Sequence, residues 1–347
     1  MSFDSVLGQE RAIAHLRAML GHGRVPSAML FLGPHGVGKR TTALELAKAL
    51  NCTALNSMAR PGEGCDACPS CRKIAGHVHA DVEVVSPDGQ YIKIDQVRAI
   101  GGKLALIPLE ARRRVIVIHQ AERLNPAAAN AFLKTLEEPP EDTLIVLTAN
   151  HASLLPETIV SRCMPLRFAP LRGETLRAIL GRDGDLSEEE ANFALRHAQG
   201  RLRPELRRGA GKLMLLRDSV LSVLENLERI GFEEIVEQSG KWSGAEEWPF
   251  AVECMEAWCH DLALAAAGAP GERLINGDRR EALARWSRRV TPALADECLR
   301  EVLSFRDGMA LNVNKALALE ALCLDLRRRL TRFPARKAAP ESKHEGE

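Results

Sequence analysis

The stretch Ala28-Met-Leu-Phe-Leu-Gly-Pro-His-Gly-Val-Gly-Lys-Arg-Thr41 joins a short apolar run to a glycine-rich turn. The run Ala28–Leu32 is typical of a buried β-strand, and residues 39–50 have helical spacing. A strand, a Gly-x-x-x-x-Gly-Lys turn and a helix in that order predict a phosphate-binding loop, because glycine lets backbone N–H groups wrap an anion. The first part of the chain is therefore predicted to have an α/β fold.

This loop carries only part of a nucleotide-hydrolysing site. The candidate nucleotide-binding residues are Gly33, Gly36, Val37, Gly38, Lys39, Arg40 and Thr41. Arg40 stands where a Ser or Thr hydroxyl normally binds Mg²⁺, and Thr41 comes one residue late, which on a helix turns it about 100° away. Two interpretations remain open: a degenerate loop that still binds nucleotide such as ATP, and a retained turn that binds none.

The predicted strand Val115–Ile118 should end at the second half of such a site. A hydrolysing enzyme places an Asp there for Mg²⁺ and a Glu to activate water, whereas this chain has His119 and Gln120. Histidine is a poor Mg²⁺ ligand and glutamine cannot act as a base. Glu122 is interpreted as a solvated charge at a helix start. We expect no independent ATP hydrolysis.

Strands and helices alternate through the first 170 residues, which predicts a parallel sheet with helical crossovers. Further short apolar strands are predicted at Val82–Val85 and Leu144–Thr148, and beyond Pro170 the pattern becomes almost wholly helical. The predicted organisation is an α/β domain over 1–170 with an inserted knuckle at 52–71, a small helical lid over 171–210, a helical domain over 211–330 and a disordered tail over 331–347.

Four of the nine cysteines have the spacing C-x12-C-x2-C-x2-C. They are Cys52, Cys65, Cys68 and Cys71. Four thiolates can close tetrahedrally on Zn²⁺, and Pro61, Gly62 and Gly64 supply turns between the first two ligands. With no open coordination position, the zinc would be structural; the alternative is four unrelated reduced thiols. The cysteines after residue 250 lie in apolar helical stretches and are predicted to be core residues.

The composition bounds the function. The 347 residues carry a formal net charge of +1 and few aromatic side chains. Both features argue against a zinc-dependent nucleic-acid-binding protein held by bulk charge or base stacking. No apolar run approaches the ~20 residues of a membrane span, and the first residues lack a signal-peptide pattern. We expect a cytoplasmic protein with reduced thiols and no membrane contact.

Several motifs together carry a resemblance to a known family. They are Gly8-Gln9-Glu10, the loop Gly33–Lys39, the cysteine knuckle, Ile92–Arg98, Asn130–Pro140 and Ser161-Arg162-Cys163. The chain resembles subunits of the bacterial DNA polymerase III clamp loader, which have the AAA+ fold. The resemblance implies a P-loop α/β domain, a lid and a collar domain that assembles a hetero-pentamer with the other loader subunits, gamma/tau and delta. That assembly loads the sliding clamp onto primed DNA, which this subunit would contact only indirectly.

The resemblance also suggests a role within the loader. The lost Mg²⁺ and base positions resemble a stator subunit, with an ATP-hydrolysing motor subunit of the gamma/tau type as the alternative. Arg162 matches an arginine that acts in trans on a neighbour's ATP, where a guanidinium stabilises charge on the γ-phosphoryl group. Arg203 falls where a lid sensor would lie, but Pro204 disfavours helical geometry there.

Overall fold

In the computed structural model the chain divides into two compact units. Unit 1 is Met1–Leu186 with Ala198–Arg207, and unit 2 is Ser187–His197 with Arg208–Glu347. The residues that the structure describes are 3–54, 63–104, 106–181, 186–198, 200–203, 206, 209–244, 247–309 and 313–331. The predicted lid over 171–210 is divided between the two units, and the three-domain boundaries stay a prediction. The predicted tail lies outside the described residues, except for Thr331, which ends a helix.

Unit 1 contains a five-stranded parallel sheet with the order β2-β3-β4-β1-β5. The strands are β1 Ala28–Leu32, β2 Val82–Val85, β3 Arg114–Ile118, β4 Thr143–Ala149 and β5 Met164–Arg167. The four predicted strands are confirmed. The fifth, β5, was not predicted, because its exposed proline and arginine hide the apolar run that marks a buried strand.

Helices flank the sheet. Those of unit 1 are α1 Glu10–Gly21, α2 Lys39–Asn51, α3 Pro69–Ala75, α4 Ile94–Leu104, α5 Pro126–Glu137, α6 Glu157–Val160 and α7 Gly173–Gly181. The start of α5 follows a local rule, since the Asn125 side chain accepts a hydrogen bond from the Ala128 amide at 2.7 Å and Pro126 occupies the first turn.

The core of unit 1 fixes where the loops emerge. Alternate residues of β1, β3 and β4 pack with α4 and α5 in one buried cluster that includes Ile116, Phe132 and Leu147. Because all five strands are parallel, the carboxyl end of β1 at Leu32 lies at the same edge of the sheet as the carboxyl ends of its neighbour β4 and of β3 beyond it. Ligands of open parallel sheets bind at this edge.

Unit 2 is wholly helical within its described residues. Its helices are α8 Glu188–Ala198, α9 Ala210–Glu225, α10 Phe232–Trp242, α11 Glu247–Ala266, α12 Arg280–Ser287, α13 Pro292–Gly308 and α14 Lys315–Thr331. Helix α11 packs against α9, α12 and α13 and buries Met255 and Trp258 completely. The cysteines Cys254, Cys259, Cys298 and Cys323 are buried in this core, as predicted. Within the described residues, every helix is too short or too polar to cross a membrane.

Candidate functional site: the phosphate loop, Arg162 and the cysteine cluster

The phosphate loop runs from the end of β1 to the start of α2, and its glycines adopt backbone conformations that disfavour a side chain. Gly36 has φ 74° and Gly38 has φ 98°, in the left-handed region that disfavours side chains. A Cβ at Gly36 would lie 2.2 Å from the carbonyl oxygen of Leu202. The segment before Pro204 thus packs directly on the loop, and Leu202 makes this contact.

Two hydrogen bonds to carbonyl oxygens of the loop fix the orientation of its peptide groups. The Leu202 amide donates to the Gly36 carbonyl at 3.0 Å, and Gln9 Nε2 donates to the Val37 carbonyl at 3.2 Å. In a planar trans peptide the N–H points opposite to the C=O, so the amides of Val37 and Gly38 point away from these anchors. Within the described part of the chain, the amides of residues 36–40 have no hydrogen-bond acceptor. They remain available to an external anion.

Lys39 is folded back onto its own loop. Its Nζ donates to the carbonyl oxygens of Gly33 and Pro34, the latter at 2.7 Å, and the residue is buried. Burial lowers the pKa of Lys39 to about 8, although the nearby Glu122 carboxylate opposes that shift. The amine is therefore mostly protonated at pH 7, and the acceptors that hold it among the described residues are neutral carbonyls, which a phosphate could replace.

Neither threonine of α2 takes the position of a Mg²⁺-binding hydroxyl. Arg40 and Thr41 are exposed on the first turn of α2. The Thr42 hydroxyl is buried and donates to the Gly38 carbonyl at 2.8 Å. The first turn of α2 therefore offers a guanidinium instead of a hydroxyl at the metal position.

At the carboxyl ends of β3 and β4, a neutral histidine forms part of a cluster of hydrogen-bonded side chains. His119 Nδ1 lies 3.2 Å from Thr148 Oγ1, which also accepts a hydrogen bond from the Gln120 amide at 3.1 Å. Gln120 Nε2 lies 3.0 Å from His35 Nε2 and so bridges β3 to the phosphate loop. Burial, helped by the charges of Arg40, His35 and Lys39, lowers the pKa of His119 to about 4. The imidazole is therefore neutral at pH 7.

Glu122 lies at a helix start as interpreted, but its carboxylate is only partly solvated. Its Oε2 is buried and has no hydrogen-bond partner within the described residues, and its charge acts on Lys39. The short 3-10 turn Ala121–Arg123 brings the carboxylate towards the loop, and a turn of three residues leaves no periodic pattern in the sequence.

Arg162 lies just after α6, about one third exposed, with its guanidinium fixed at two points. Its Nη2 donates to Glu137 Oε1 at 2.5 Å, and its Nη1 donates to the Thr158 carbonyl at 3.0 Å. Glu137 had no assigned role in the sequence, where Glu137-Glu138 resembles an ordinary charged helix end. A carboxylate in the last turn of a helix is locally unfavourable, and the Arg162 contact offsets that cost.

The four cysteines of the predicted knuckle come together at the far end of α2. Cys52 follows the last residue of that helix, and Cys68 caps the start of α3. The four Sγ atoms lie within 4.8 Å of one another, and Cys52 Sγ is 4.0 Å from Cys68 Sγ. Zn–S bonds of about 2.3 Å in a tetrahedron require S···S edges of about 3.8 Å, so the cluster fits a metal ion of this kind.

Backbone contacts prepare the cluster for thiolates. The Cys68 amide donates to Cys65 Sγ at 3.2 Å, and the Cys71 amide donates to Cys68 Sγ at 3.4 Å. Burial tends to raise the pKa of Cys68, but hydrogen bonds from Thr53 and the Cys71 amide outweigh it and lower the pKa to about 5. Burial raises the pKa of Cys52 and Cys71. A divalent cation would be needed to hold all four as thiolates.

The knuckle is tied to the helix that carries the phosphate loop. Lys48 Nζ, on α2, contacts Glu45 at 2.8 Å and Asp66 of the knuckle at 2.7 Å. Two of the predicted turn residues, Pro61 and Gly62, lie outside the described residues, and Gly64 packs against the Lys48 side chain.

Comparison with known proteins covers mainly unit 1. Residues 8–172 match the family model described as DNA polymerase III, delta subunit. The chain is 36% identical over 168 residues to DNA polymerase III subunit delta' of Bacillus subtilis, covering 48% of this chain and 50% of that protein. It is 34% identical over 210 residues to subunit tau of Escherichia coli, covering 59% of this chain and 32% of that protein.

A solved structure of a gamma subunit-related DNA polymerase III protein from Thermotoga maritima is similar over 91% of this chain and 99% of its own. The TM-score is 0.42 and the identity 20%, a level that says nothing about function. The chain spans half or less of the length of the two sequence relatives named above. Over residues 8–172, the part that bears the phosphate loop, the chain is similar to subunits of DNA polymerase III.

Proposed function

We propose that the chain is a delta-prime-like stator subunit of the bacterial clamp loader. In this role it helps to load the sliding clamp onto primed DNA, in a cytoplasmic hetero-pentamer with gamma/tau and delta subunits. The observation that carries the proposal is a complete backbone cradle combined with the loss of the side chains that would bind Mg²⁺ and activate water. The similarity to a delta' and to a tau subunit supports either role, and the missing metal-binding and base side chains favour the delta-prime-like one.

Hydrolysis needs groups that this site lacks. Mg²⁺ prefers hard oxygen ligands, and the metal positions carry Arg40 and His119. Gln120 cannot accept the proton of an attacking water, and its amide is engaged with His35. Bound nucleotide would therefore remain uncleaved, which suits a subunit that holds its shape while others change theirs.

Arg162 is the residue through which this subunit would contribute to ATP hydrolysis in a neighbouring subunit. Its guanidinium is about one third exposed and is fixed by Glu137 and the Thr158 carbonyl, so it is presented without a large loss of side-chain freedom. Delivered to a neighbour's ATP, it would stabilise the charge that develops on the transferring phosphoryl group. It would be a catalytic residue in trans, in a protein with no hydrolytic activity of its own.

The cysteine cluster would hold one structural Zn²⁺. Four sulfur donors leave no open position for water or substrate, so the ion would supply folding energy and no chemistry. Through Cys52 and Lys48 it would stiffen the carboxyl end of α2.

Reconstitution of the loader with Arg162→Ala tests the role. We expect assembly of the pentamer to be unchanged and clamp- and DNA-stimulated ATPase to fall by at least about tenfold, since an arginine in trans contributes far more than that to one site. Arg172→Ala, an exposed arginine ten residues further on, is the control. Unchanged ATPase in Arg162→Ala would exclude the trans role.

The motor alternative is tested on the isolated chain. Turnover of Mg·ATP at about 1 s⁻¹, typical of an enzyme, would favour a gamma/tau-like motor and contradict the stator. We expect no turnover above that of a Lys39→Ala control.

A further inference from the structure

Unit 2 contains a cavity of about 540 Å³ where the helices α9 and α12 end. The residues that line it come from two segments of the chain, 225–229 and 285–289. Four arginines and two glutamates of this lining give it a net charge of +2, since its other residues are uncharged. The cavity therefore favours an anion over a neutral or cationic ligand.

Both glutamates of the lining already have an arginine partner. Glu228 accepts a hydrogen bond from Arg289 Nη1, and Glu225 Oε1 lies 3.6 Å from Nη1 of Arg279, which is not part of the lining. Of the four lining arginines, Arg289 alone is therefore neutralised by an ion pair within the described residues.

The other three arginines of the lining are Arg229, Arg285 and Arg288, which are exposed. Within the part of the chain that the structure describes, they form no ion pair. The charge of Arg285 opposes the rise that burial causes in the pKa of Glu225, so its guanidinium lies near that carboxylate. The two helix ends each contribute about half a negative charge, which together offset about one of the three positive charges. The remaining charges repel one another, and a bound anion would relieve that repulsion.

Hydrogen bonds fix the backbone around the cavity. Trp286 is buried, and its Nε1 donates to the Glu225 carbonyl at 3.2 Å, which joins the end of α12 to the end of α9. The Arg229 amide donates to the Asn226 carbonyl at 2.8 Å, and the Arg289 amide donates to the Trp286 carbonyl at 2.9 Å. The backbone that carries the arginines is therefore held in place before a ligand arrives, which lowers the cost of binding.

We propose that this cavity binds a compact polyanion of the polyphosphate class. A guanidinium donates two parallel hydrogen bonds to phosphate oxygens, and a short phosphate chain brings several negative charges to the unpaired arginines at once. A volume of about 540 Å³ suits a small ligand rather than a length of nucleic acid. Because Trp286 is only 4% exposed, its ring cannot stack on a nucleobase, and the phosphates alone would be recognised.

Two sources share this chemistry: inorganic tripolyphosphate and the triphosphate of a nucleotide. The full chain with Lys39→Ala, which disables the phosphate loop, is titrated by calorimetry in EDTA. We expect tripolyphosphate, ATP and CTP to bind with dissociation constants within about threefold of one another, and orthophosphate to bind at least about tenfold more weakly, since it makes fewer charge-assisted contacts. The loader is not needed, so this proposal and the stator role can fail separately.

Arg229→Ala and Arg288→Ala, one on each segment of the lining, are the decisive variants. Each should lower the affinity for tripolyphosphate at least about tenfold, because a charge-assisted contact is lost. Arg273→Ala is the matched control, since Arg273 is also exposed and without an ion pair among the described residues but lies outside the lining. Thermal melts should show that all variants fold, and tripolyphosphate should raise the melting temperature of the parent chain more than that of the two cavity variants.

Four outcomes would overturn the proposal. They are no binding at millimolar tripolyphosphate, parental affinity in both cavity variants, an equal loss of affinity in Arg273→Ala, and a clear preference for ATP over tripolyphosphate. Tighter binding of single-stranded oligothymidylate than of tripolyphosphate would assign the arginines to nucleic acid and would likewise contradict it.

Discussion

Helix α2 has a different kind of site at each end. At its amino end the phosphate loop presents backbone amides, and the side chains that would bind metal and activate water are gone. At its carboxyl end Cys52 joins three other cysteines whose sulfur atoms form a complete donor set. The phosphate loop keeps its backbone amides but has lost the side chains for hydrolysis. The cysteine cluster depends entirely on its side chains.

This difference teaches how each site tolerates change. A cradle of amides survives most substitutions, because any residue that keeps the dihedral angles keeps the N–H groups. A four-thiolate site survives none, because each ligand supplies a quarter of the coordination. We therefore expect the cysteine cluster to be sensitive to removal of a side chain, and the phosphate loop to be sensitive to substitutions that strain its backbone.

Loss of one cysteine should have the largest effect. Cys68→Ser should lower the bound zinc from about one ion per chain and destabilise unit 1 by at least about 4 kcal/mol, since metal binding contributes folding energy directly. Metal analysis and denaturant unfolding measure the two quantities. Cys163→Ser, at a cysteine outside the cluster, should leave the zinc content at one. If the wild-type chain is purified without metal, and if Cys68→Ser is as stable as the wild type, the cysteine cluster is not a structural metal site.

Backbone strain in the loop should have the next largest effect. Gly36→Ala places a Cβ 2.2 Å from the Leu202 carbonyl in a left-handed conformation, and we expect a loss of about 3 kcal/mol. Gly23→Ala is the matched control, because Gly23 also has positive φ but nothing lies near its Cβ; the cost there should be about 1 kcal/mol. Equal unfolding free energies for the two variants would show that Leu202 does not press on the loop.

His119, which stands where a metal-binding Asp is expected, should make the free energy of unfolding depend on pH. The pKa of His119 is about 4 in the fold, below its ordinary value, because of burial and neighbouring cations. Between pH 6.5 and 4 the unfolded state binds more protons at this residue, so its contribution to stability is lost as the pH falls through that range. His119→Asn should reduce the loss between pH 7 and pH 5 by about 1 kcal/mol, after allowance for partial exposure.

Urea unfolding at the two pH values measures this effect. His151→Asn, on an exposed histidine, is the control and should unfold with the pH dependence of the wild type. If His119→Asn also keeps that dependence, the imidazole is not held neutral by the loop.

Much of this arrangement could be predicted from the sequence, for reasons that differ by residue. The strand, loop and helix at residues 28–41 and the cysteine spacing are local patterns, and both were found. Glu137 and Leu202 could not be found, because their partners Arg162 and Gly36 lie 25 and 166 residues away in the chain. Glu122 was misjudged because a three-residue turn has no periodicity, and β5 because its side chains are half exposed.

The smallest effect on stability should come from Glu137→Ala, although the contact is short. Glu137 and Arg162 are about one half and one third exposed, and surface pairs of this kind contribute about 0.2–1 kcal/mol. The effect on function should be larger, since Glu137 fixes the guanidinium proposed to act on a neighbour's ATP, and misplacement of such a group is costly.

In a reconstituted loader we expect a severalfold fall in stimulated ATPase, and no further fall when the change is added to Arg162→Ala. Glu138→Ala, the adjacent exposed acid on the same helix end, is the matched control and should leave the rate unchanged. An equal fall in both glutamate variants would assign the effect to the charge of the helix end and not to the hold on Arg162.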